Sequence, residues 1–336
     1  MSTQYSNRLG YISDEQFQQA LDRFNLGRFI KATPITQGLW GQNVYVTSDK
    51  GEYVLRGVPH FDWQFKTEKV FVDLLKKHTQ APVPYPYLLD TDTSIFGWEY
   101  VLMTRMEGIN LSDDLHESGL TNIDRKEIAI AQGDLLKELQ KLTNPFCGKY
   151  DSQKNTFVSY QPNWIEEYKR QILEMLEKSA SYNSLTPPED ISWVKYILAE
   201  REAFLDNFIP TFHMQDFKPG NMVTCKTNGK WQITGIFDFM EVSFGHPEAD
   251  LSRMFAIYLD NDRLDLFYTL IYSYLQGKDS EYINRLVKRF PLFMFHDRLL
   301  IWEWAQRSGK AWWDKELHFK EWIAKYLAIE PIKLAR

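Results

Sequence analysis

His213-Met214-Gln215-Asp216-Phe217-Lys218-Pro219-Gly220-Asn221 sets an acid and an amide five positions apart. Seventeen residues beyond Asn221, Asp238-Phe239 follows the apolar run Trp231 to Phe237. The three polar residues have complementary chemistry. A carboxylate such as Asp216, within hydrogen-bond reach of an alcohol, orients it and accepts its proton late in a displacement at phosphorus. Asn221 and Asp238 offer the hard oxygen donors that Mg²⁺ takes when its other positions go to phosphate and water. Alone, each residue reads as a turn residue or a strand cap. Together, flanking Pro219-Gly220 and a hairpin, they point to a phosphoryl-transfer site.

The surrounding sequence supplies the elements. Asn228-Gly229 is a strong hairpin signal, with strands at Met222 to Cys225 and Trp231 to Phe237. Far upstream, Tyr53-Val54-Leu55-Arg56 reads as a strand and Phe61 to His78 as the helix after it. Glu68 shares an apolar stripe of that helix with Phe65, Phe71, Val72 and Leu75, where a carboxylate needs a partner. Arg56 on the preceding strand is the natural one. In protein kinases a basic residue and a carboxylate so placed hold the α- and β-phosphates, and an Asp and an Asn five residues apart form the catalytic loop. Arg in place of Lys keeps that chemistry, because a guanidinium can fork onto phosphate oxygens. The alternative for Arg56 and Glu68 is a structural salt bridge.

Two further segments suit a nucleotide. Gln37 to Asn43 is a loop between strands, whose Gly38 and Gly41 allow backbone amides to cover phosphates; hairpins use glycines for other reasons as well. Trp40 at its tip is a lid or an exposed aromatic. Thr104 and Met106 lie where two halves of the chain join. Their carbonyl and amide could meet an adenine edge, with Val44, Val54 and Met103 around the ring, or they could simply end a strand.

The chain has 336 residues, 44% of them hydrophobic and 25% charged, enough for a large core. A net charge of −6 argues against a nucleic-acid groove. Two cysteines, Cys147 and Cys225, make neither a disulfide framework nor a zinc pattern. Met1 to Gly10 has no apolar signal core, and no apolar run approaches membrane-spanning length. The expectation is a cytoplasmic protein with no membrane partner.

Secondary-structure signals divide the chain. Ser13 and Gln16 form a capping box for an opening helix to Phe24. Strands at about 29–36, 42–47, 52–56, 87–90 and 98–103 then make a five-stranded sheet carrying one internal helix. After Gly108 the pattern turns helical, with Thr121 and Asp124 capping a helix to about Leu142, and further helices at 163–179, 188–207 and from Pro247 onward. The predicted division is 1–103 as a nucleotide-binding lobe, 104–108 as a hinge, and 109–336 as a catalytic and substrate-binding lobe. The fold class is α+β.

With these residues assembled, the chain resembles the aminoglycoside phosphotransferase family, which neighbours choline, fructosamine, macrolide and homoserine kinases. The resemblance runs from about Ile35 to Leu251. It rests on Asp216 to Asn221, on Gly235-Ile-Phe-Asp238-Phe, and on Gly245-His-Pro247-Glu-Ala-Asp250-Leu251. Tyr53-Val-Leu-Arg56, Glu68, Ala81-Pro-Val-Pro84 and Met103-Thr-Arg-Met-Glu-Gly108 add to it. It implies a protein-kinase-like two-lobed fold with ATP in the cleft, Asp216 as base, Asn221 and Asp238 on magnesium, and Arg56 with Glu68 on the phosphates. Asp250 corresponds to a second acid behind the site, with a helix cap as the alternative.

Two positions depart from the family pattern. Met214 stands where the family usually places a His, leaving His213 one residue further back. Lys218 stands two after the acid, where the family often has His; it either stabilises the transferring phosphate or faces solvent. The acceptor is a small-molecule hydroxyl. An aminoglycoside-like or other polyhydroxylated, cationic compound leads, because most of the acid excess falls after residue 108 and Glu241, Asp260 and Asp262 follow the second acid closely. Amino alcohols, macrolides and homoserine-type acceptors are alternatives, as is a non-catalytic nucleotide-binding module. Trp302, Trp304, Trp312 and Trp313 either stack on a sugar or pack a core.

Overall fold

The computed structural model describes residues 2–35, 41–114, 119–206 and 208–332. It opens with strands β1 (Ser2–Ser6) and β2 (Gly10–Ser13), paired antiparallel, where the sequence reading begins with a helix. Most of this hairpin is polar, so its hydrophobic signal is confined to Leu9 and Ile12, which are buried. Helix α1 (Asp14–Arg23) follows with the predicted capping box on Ser13 and Gln16.

Next come β3 (Phe29–Pro34), β4 (Asn43–Ser48), β5 (Gly51–Gly57), α2 (Gln64–His78), β6 (Tyr87–Asp90) and β7 (Tyr100–Thr104). The five strands form one antiparallel sheet in the order β3-β4-β5-β7-β6. Alternation along a strand assigns its residues to faces. Tyr53, Leu55, Tyr100 and Leu102 join Val44, Val46 and Phe17 in an outer core under α1. Val101 and Met103 point the other way, into a larger core shared with α2 and the second half of the chain. Arg56 has the parity of Val54 and therefore faces inward. Val44 pairs with Leu55 and lies in the outer core, so it cannot border a cleft on the inner face. That corrects its expected place beside an adenine ring; the strand's inward positions are Asn43 and Tyr45.

Residues 105–108 connect this sheet to β8 (Ile109–Asn110), which is followed by the short α3 (Leu111–Asp114) and by α4 (Asn122–Leu139). Two glycines let the connection sit on the hairpin around Asn228-Gly229. Gly108 has φ +141°, and a Cβ there would come within 2.7 Å of the Thr224 backbone. A Cβ on Gly235 would meet the Met106 Cβ at 2.5 Å.

The second half continues with β9 (Gly148–Asp151), β10 (Thr156–Ser159), α5 (Trp164–Tyr182), α6 (Pro188–Arg201) and β11 (Thr211–His213). After them come β12 (Met222–Thr227), β13 (Lys230–Ile236), β14 (Ser243–Gly245), α7 (Leu251–Asp260), α8 (Leu264–Tyr274), α9 (Ser280–Ser308) and α10 (Phe319–Leu327). β12 and β13 form the predicted hairpin, and β8 adds to its free edge. A second small sheet, β10-β9-β14-β11, carries no obvious sequence signal because its strands have only three or four residues. None of the described helices is long and apolar enough to cross a membrane.

Trp302 is fully buried, donates its indole N–H to Thr186 Oγ1 and packs on Trp313 and Trp322. Core packing therefore accounts for Trp302. Trp304 and Trp312 contact each other, and Trp312 is exposed.

Candidate active site

The hairpin brings its distant ends together. Met222 pairs with Ile236, and the Phe237 N–H donates to the Asn221 carbonyl at 3.1 Å. Asn221 closes a 3₁₀ turn, Pro219–Asn221, and Asp238 leaves β13 with φ +72°, a left-handed conformation that a non-glycine residue adopts under tertiary constraint.

Asp216 is enclosed by three donors. Lys218 Nζ lies 2.6 Å from Oδ2, Asn221 Nδ2 3.0 Å from the same oxygen, and Arg253 Nη1 2.9 Å from Oδ1. Burial works against its charge, but Arg253 and Lys218 outweigh that and hold the carboxyl below its ordinary value. Lys218 is thus bound to the acid rather than turned to solvent. Asn221 spends its amide N–H₂ on Asp216, on the backbone carbonyl at 2.9 Å as well as the carboxylate, which leaves its oxygen Oδ1 for another partner.

Asp250 secures the loop from behind. Its carboxylate accepts the Met214 N–H at 2.9 Å and the Gln215 N–H at 2.7 Å, and His213 Nε2 is 3.3 Å away. It makes no side-chain cap on α7, the alternative use of an acid at that position. Gln215 has φ +65°, so these two bonds hold a strained turn directly before Asp216. Burial raises the Asp250 carboxyl despite His213 and both amides.

On the inner face of the large sheet, Arg56 Nη1 is 3.2 Å from Glu68 Oε2, and Arg56 Nη2 is 3.0 Å from Asp238 Oδ1. One guanidinium therefore links the sheet, α2 and the end of β13. Glu68 also accepts the Tyr87 hydroxyl at 2.6 Å and Gln64 Nε2 at 2.9 Å. Burial pushes Glu68 up, with Arg56 opposing. Burial opposes the Arg56 charge, yet Glu68, Asp238 and Tyr87 together hold it above its ordinary value. The Arg56 Nε–H is buried without a hydrogen-bond partner among the described residues, a donor that suits an anionic oxygen.

Of the remaining expected residues, Gly38 and Trp40 lie outside the described residues. Gly41 has φ +59°, and its carbonyl accepts the Ser6 hydroxyl at 2.6 Å. Thr104 ends β7 and donates its hydroxyl to the Tyr85 carbonyl at 2.9 Å. Met106 packs against Gly235.

A cavity of about 1070 Å³ opens beside the acid loop. Gln215, Glu241, Lys149 and Tyr160 line it, with Glu167 and Gln171 of α5. Burial, then Asp216 and Asp238, raise the Glu241 carboxyl. Asp260 is turned elsewhere, bonded to Lys325 at 2.7 Å and to the Tyr326 hydroxyl at 2.9 Å. Asp262 does not line the cavity either, so of the three expected acids only Glu241 reaches it.

Sequence reasoning missed Arg253 and its support. Arg253 also pairs with Asp297 of α9, which Arg298 holds in turn at 2.5 Å. Two signals were available. Arg253 lies three after Asp250, on the same side of a helix start. His296-Asp297-Arg298 interrupts an apolar run in α9, where buried charge requires partners.

A five-stranded sheet with one internal helix, joined to a helical half that carries an acid–amide–acid hairpin, is the protein-kinase-like fold. The chain belongs to the phosphotransferase enzyme family, whose family model matches residues 31–281.

Solved relatives share the fold at low identity. The GDP complex of aminoglycoside 2'-phosphotransferase-IIIa superposes with a TM-score of 0.58 at 13% identity, over 96% of this chain and 97% of that one. A thermostable mutant of aminoglycoside phosphotransferase APH(4)-Ia, in a ternary complex with ADP and hygromycin B, gives 0.52 at 14% identity, over 87% and 91%. Among curated proteins, acyl-CoA dehydrogenase family member 11 of Homo sapiens is 24% identical over 218 residues, 61% of this chain. The Rattus norvegicus protein of the same name is 24% identical over 220 residues, 65% of this chain. The chain spans about a quarter of the length of these two relatives.

Proposed function

We propose that this protein transfers the γ-phosphate of ATP to a hydroxyl of a polyhydroxylated, cationic small molecule. The observation that carries the reading is the joint position of Asp216, Asn221 and Asp238 at one hairpin, with Arg56 reaching across to Asp238.

Asp216 is the base. Its carboxylate stays ionised beside Arg253 and Lys218, so it can accept the acceptor's proton as the oxygen bonds to phosphorus. Asn221 Oδ1 and the Asp238 carboxylate would hold Mg²⁺. They are hard oxygen donors, and two protein ligands suffice where phosphate and water complete the shell. The ion supplies charge neutralisation on the phosphates when bound. Arg56 offers its unpartnered Nε–H to phosphate oxygen, with Glu68 fixing its direction. Lys218, 2.6 Å from Asp216, is near enough to share a developing charge. Thr104 and Met106 would meet the adenine edge, and the Gly41 loop would cover the phosphates.

The acceptor occupies the 1070 Å³ cavity, where Glu241 pairs with an ammonium group and Gln171, Tyr160 and Glu167 meet hydroxyls. Transfer of labelled phosphate from ATP should be measured for aminoglycosides, amino alcohols, macrolides and neutral sugars, each at low and high salt. Turnover of the cationic polyols, weakened by salt, supports the reading. Turnover confined to neutral acceptors removes the cationic class. No transfer to any acceptor removes the kinase function and leaves a nucleotide-binding module.

A further inference from the structure

The turn of the β1–β2 hairpin is bonded to two segments that lie 35 and 50 positions away in the chain. The Ser6 hydroxyl donates to the Gly41 carbonyl at 2.6 Å and accepts the Leu9 N–H at 3.0 Å. The approach is close. A Cβ on Gly41, which has φ +59°, would lie 3.0 Å from the Ser6 Cβ. Arg8 takes hold of the other segment, donating Nε to the Val58 carbonyl at 2.9 Å and Nη2 to the Pro59 carbonyl at 3.2 Å. Val58 has φ +52°, a left-handed conformation that a β-branched residue avoids, and such strain persists only where surrounding contacts impose it. The turn is itself anchored, because Leu9 and Ile12 are buried in the outer core with Val44 and Leu55.

The two segments are also joined to each other. The Gly57 N–H donates to the Gln42 carbonyl at 2.9 Å, and Gln42 Nε2 donates to the Val58 carbonyl at 2.5 Å. Next to these bonds, Asn43 pairs with Arg56 across β4 and β5. The hairpin turn, the start of β4 and the end of β5 thus meet in one three-way junction. Gly41 stands on one side of it. Arg56 stands on the other, its guanidinium held by Glu68 and Asp238. Ser6 and Arg8 lie outside the family-matched residues 31–281. A backbone amide or guanidinium that is already held in place binds an anion better, because little order is left to impose when the ligand arrives.

We propose that Ser6 and Arg8 are positioning residues for the nucleotide's phosphates, acting through the Gly41 backbone and the segment that follows Arg56. This rests on the reading that gives Arg56 and the Gly41 loop to the phosphates of ATP. The β1–β2 hairpin is then part of the nucleotide site's support and sets its affinity for phosphate, not for the base.

The test is calorimetric titration of the full chain, in Mg²⁺, with ATP, with ADP and with adenosine, which carries no phosphate. Arg8→Ala should weaken ATP and ADP by about two- to tenfold, the fold-change of one lost hydrogen bond, with adenosine affinity unchanged. Ser6→Ala, the milder change to the fold, should act in the same direction, and Arg8→Lys should recover part of the loss. Ile12→Val is the control. It loses packing in the outer core while keeping both polar contacts, so it should lower the unfolding midpoint without moving ATP affinity. Wild-type ATP affinity in both Arg8→Ala and Ser6→Ala overturns the proposal. So does a loss equal for ATP and adenosine, or one that tracks the unfolding midpoint across all four variants, because the hairpin then only supports the sheet. Each of these outcomes leaves the kinase reading standing. A wild type whose affinity gains nothing from the phosphates removes the assignment of Arg56 and Gly41, and the proposal falls with it.

Discussion

Two buried ion clusters flank the hairpin, and they are assembled in opposite ways. Arg56 and Glu68 are twelve residues apart on consecutive elements, and their faces follow from strand alternation and one helical stripe. Asp216, Arg253 and Asp297 come from a loop and two helices, with 37 and 44 residues between successive partners. The first cluster is local and therefore readable; the second exists only once α7 and α9 pack. Their energetics also differ. Glu68 has Arg56, Tyr87 and Gln64 as its partners. Asp216 keeps Lys218 and Asn221 if Arg253 is removed, and Asp297 keeps Arg298. Loss of Glu68 unpairs donors of Arg56, Tyr87 and Gln64 at once, although Arg56 keeps Asp238, whereas the long-range cluster should fail by degrees.

The largest effect expected is on turnover. Asp216→Asn should reduce it by about 10²–10⁴-fold, the usual worth of a positioned base, with nucleotide affinity nearly intact. Parallel measurement of both on the folded variant decides this, and retained turnover would end the assignment of the base. Next comes Glu68→Ala. Both partners of the ion pair are buried, with side-chain exposures of 9% and 1%. Breaking it should cost about 3–5 kcal/mol and weaken ATP binding. Denaturant unfolding reads the first quantity and nucleotide titration the second; an unchanged ATP affinity would make the pair purely structural.

Arg253→Ala sharpens the contrast. Partial support remains, so turnover should fall by about 10–10²-fold, as for a misplaced catalytic group, and the fold should survive. The pH profile supplies the sign. Arg253 helps hold Asp216 below its ordinary value, so the base stays ionised to lower pH in the wild type. Its removal should move the acid limb of the activity profile to higher pH. Stability follows the same linkage. The ionised Asp216 contributes above the unfolded carboxyl's value of about 4, and that contribution is lost as pH falls through the lowered folded value. An acid limb that does not move would show that Arg253 leaves the base's ionisation alone.

The smallest effect belongs to a pair that matches the others in distance but not in burial. Arg105 and Glu52 are 3.0 Å apart, and their side chains are 38% and 48% exposed. Arg105→Ala should cost under about 1 kcal/mol, even with the guanidinium 4.0 Å from the Tyr45 ring centroid. A thermal shift as large as that of Glu68→Ala would contradict the rule that burial sets the strength of these pairs.

The sequence by itself determined the elements and the polar residues that meet at the hairpin. Spacing located Asp216, Asn221 and Asp238, Asn228-Gly229 marked the hairpin that joins them, and period-two and period-3.6 patterns laid out the sheet with its helix. These are local properties, carried by turn residues and side-chain alternation within a few positions. Tertiary structure decided the rest. Strand register sent Val44 to the outer core, although its composition suited a nucleotide wall. Packing of α7 against α9 brought Arg253, held by Asp297, to Asp216, and α10 turned Asp260 toward Lys325 and helped enclose Trp302. The β1–β2 hairpin clamps a loop fifty residues away through Arg8. No local period records such contacts, because burial of surfaces distant in the chain fixes them, and that depends on the whole core.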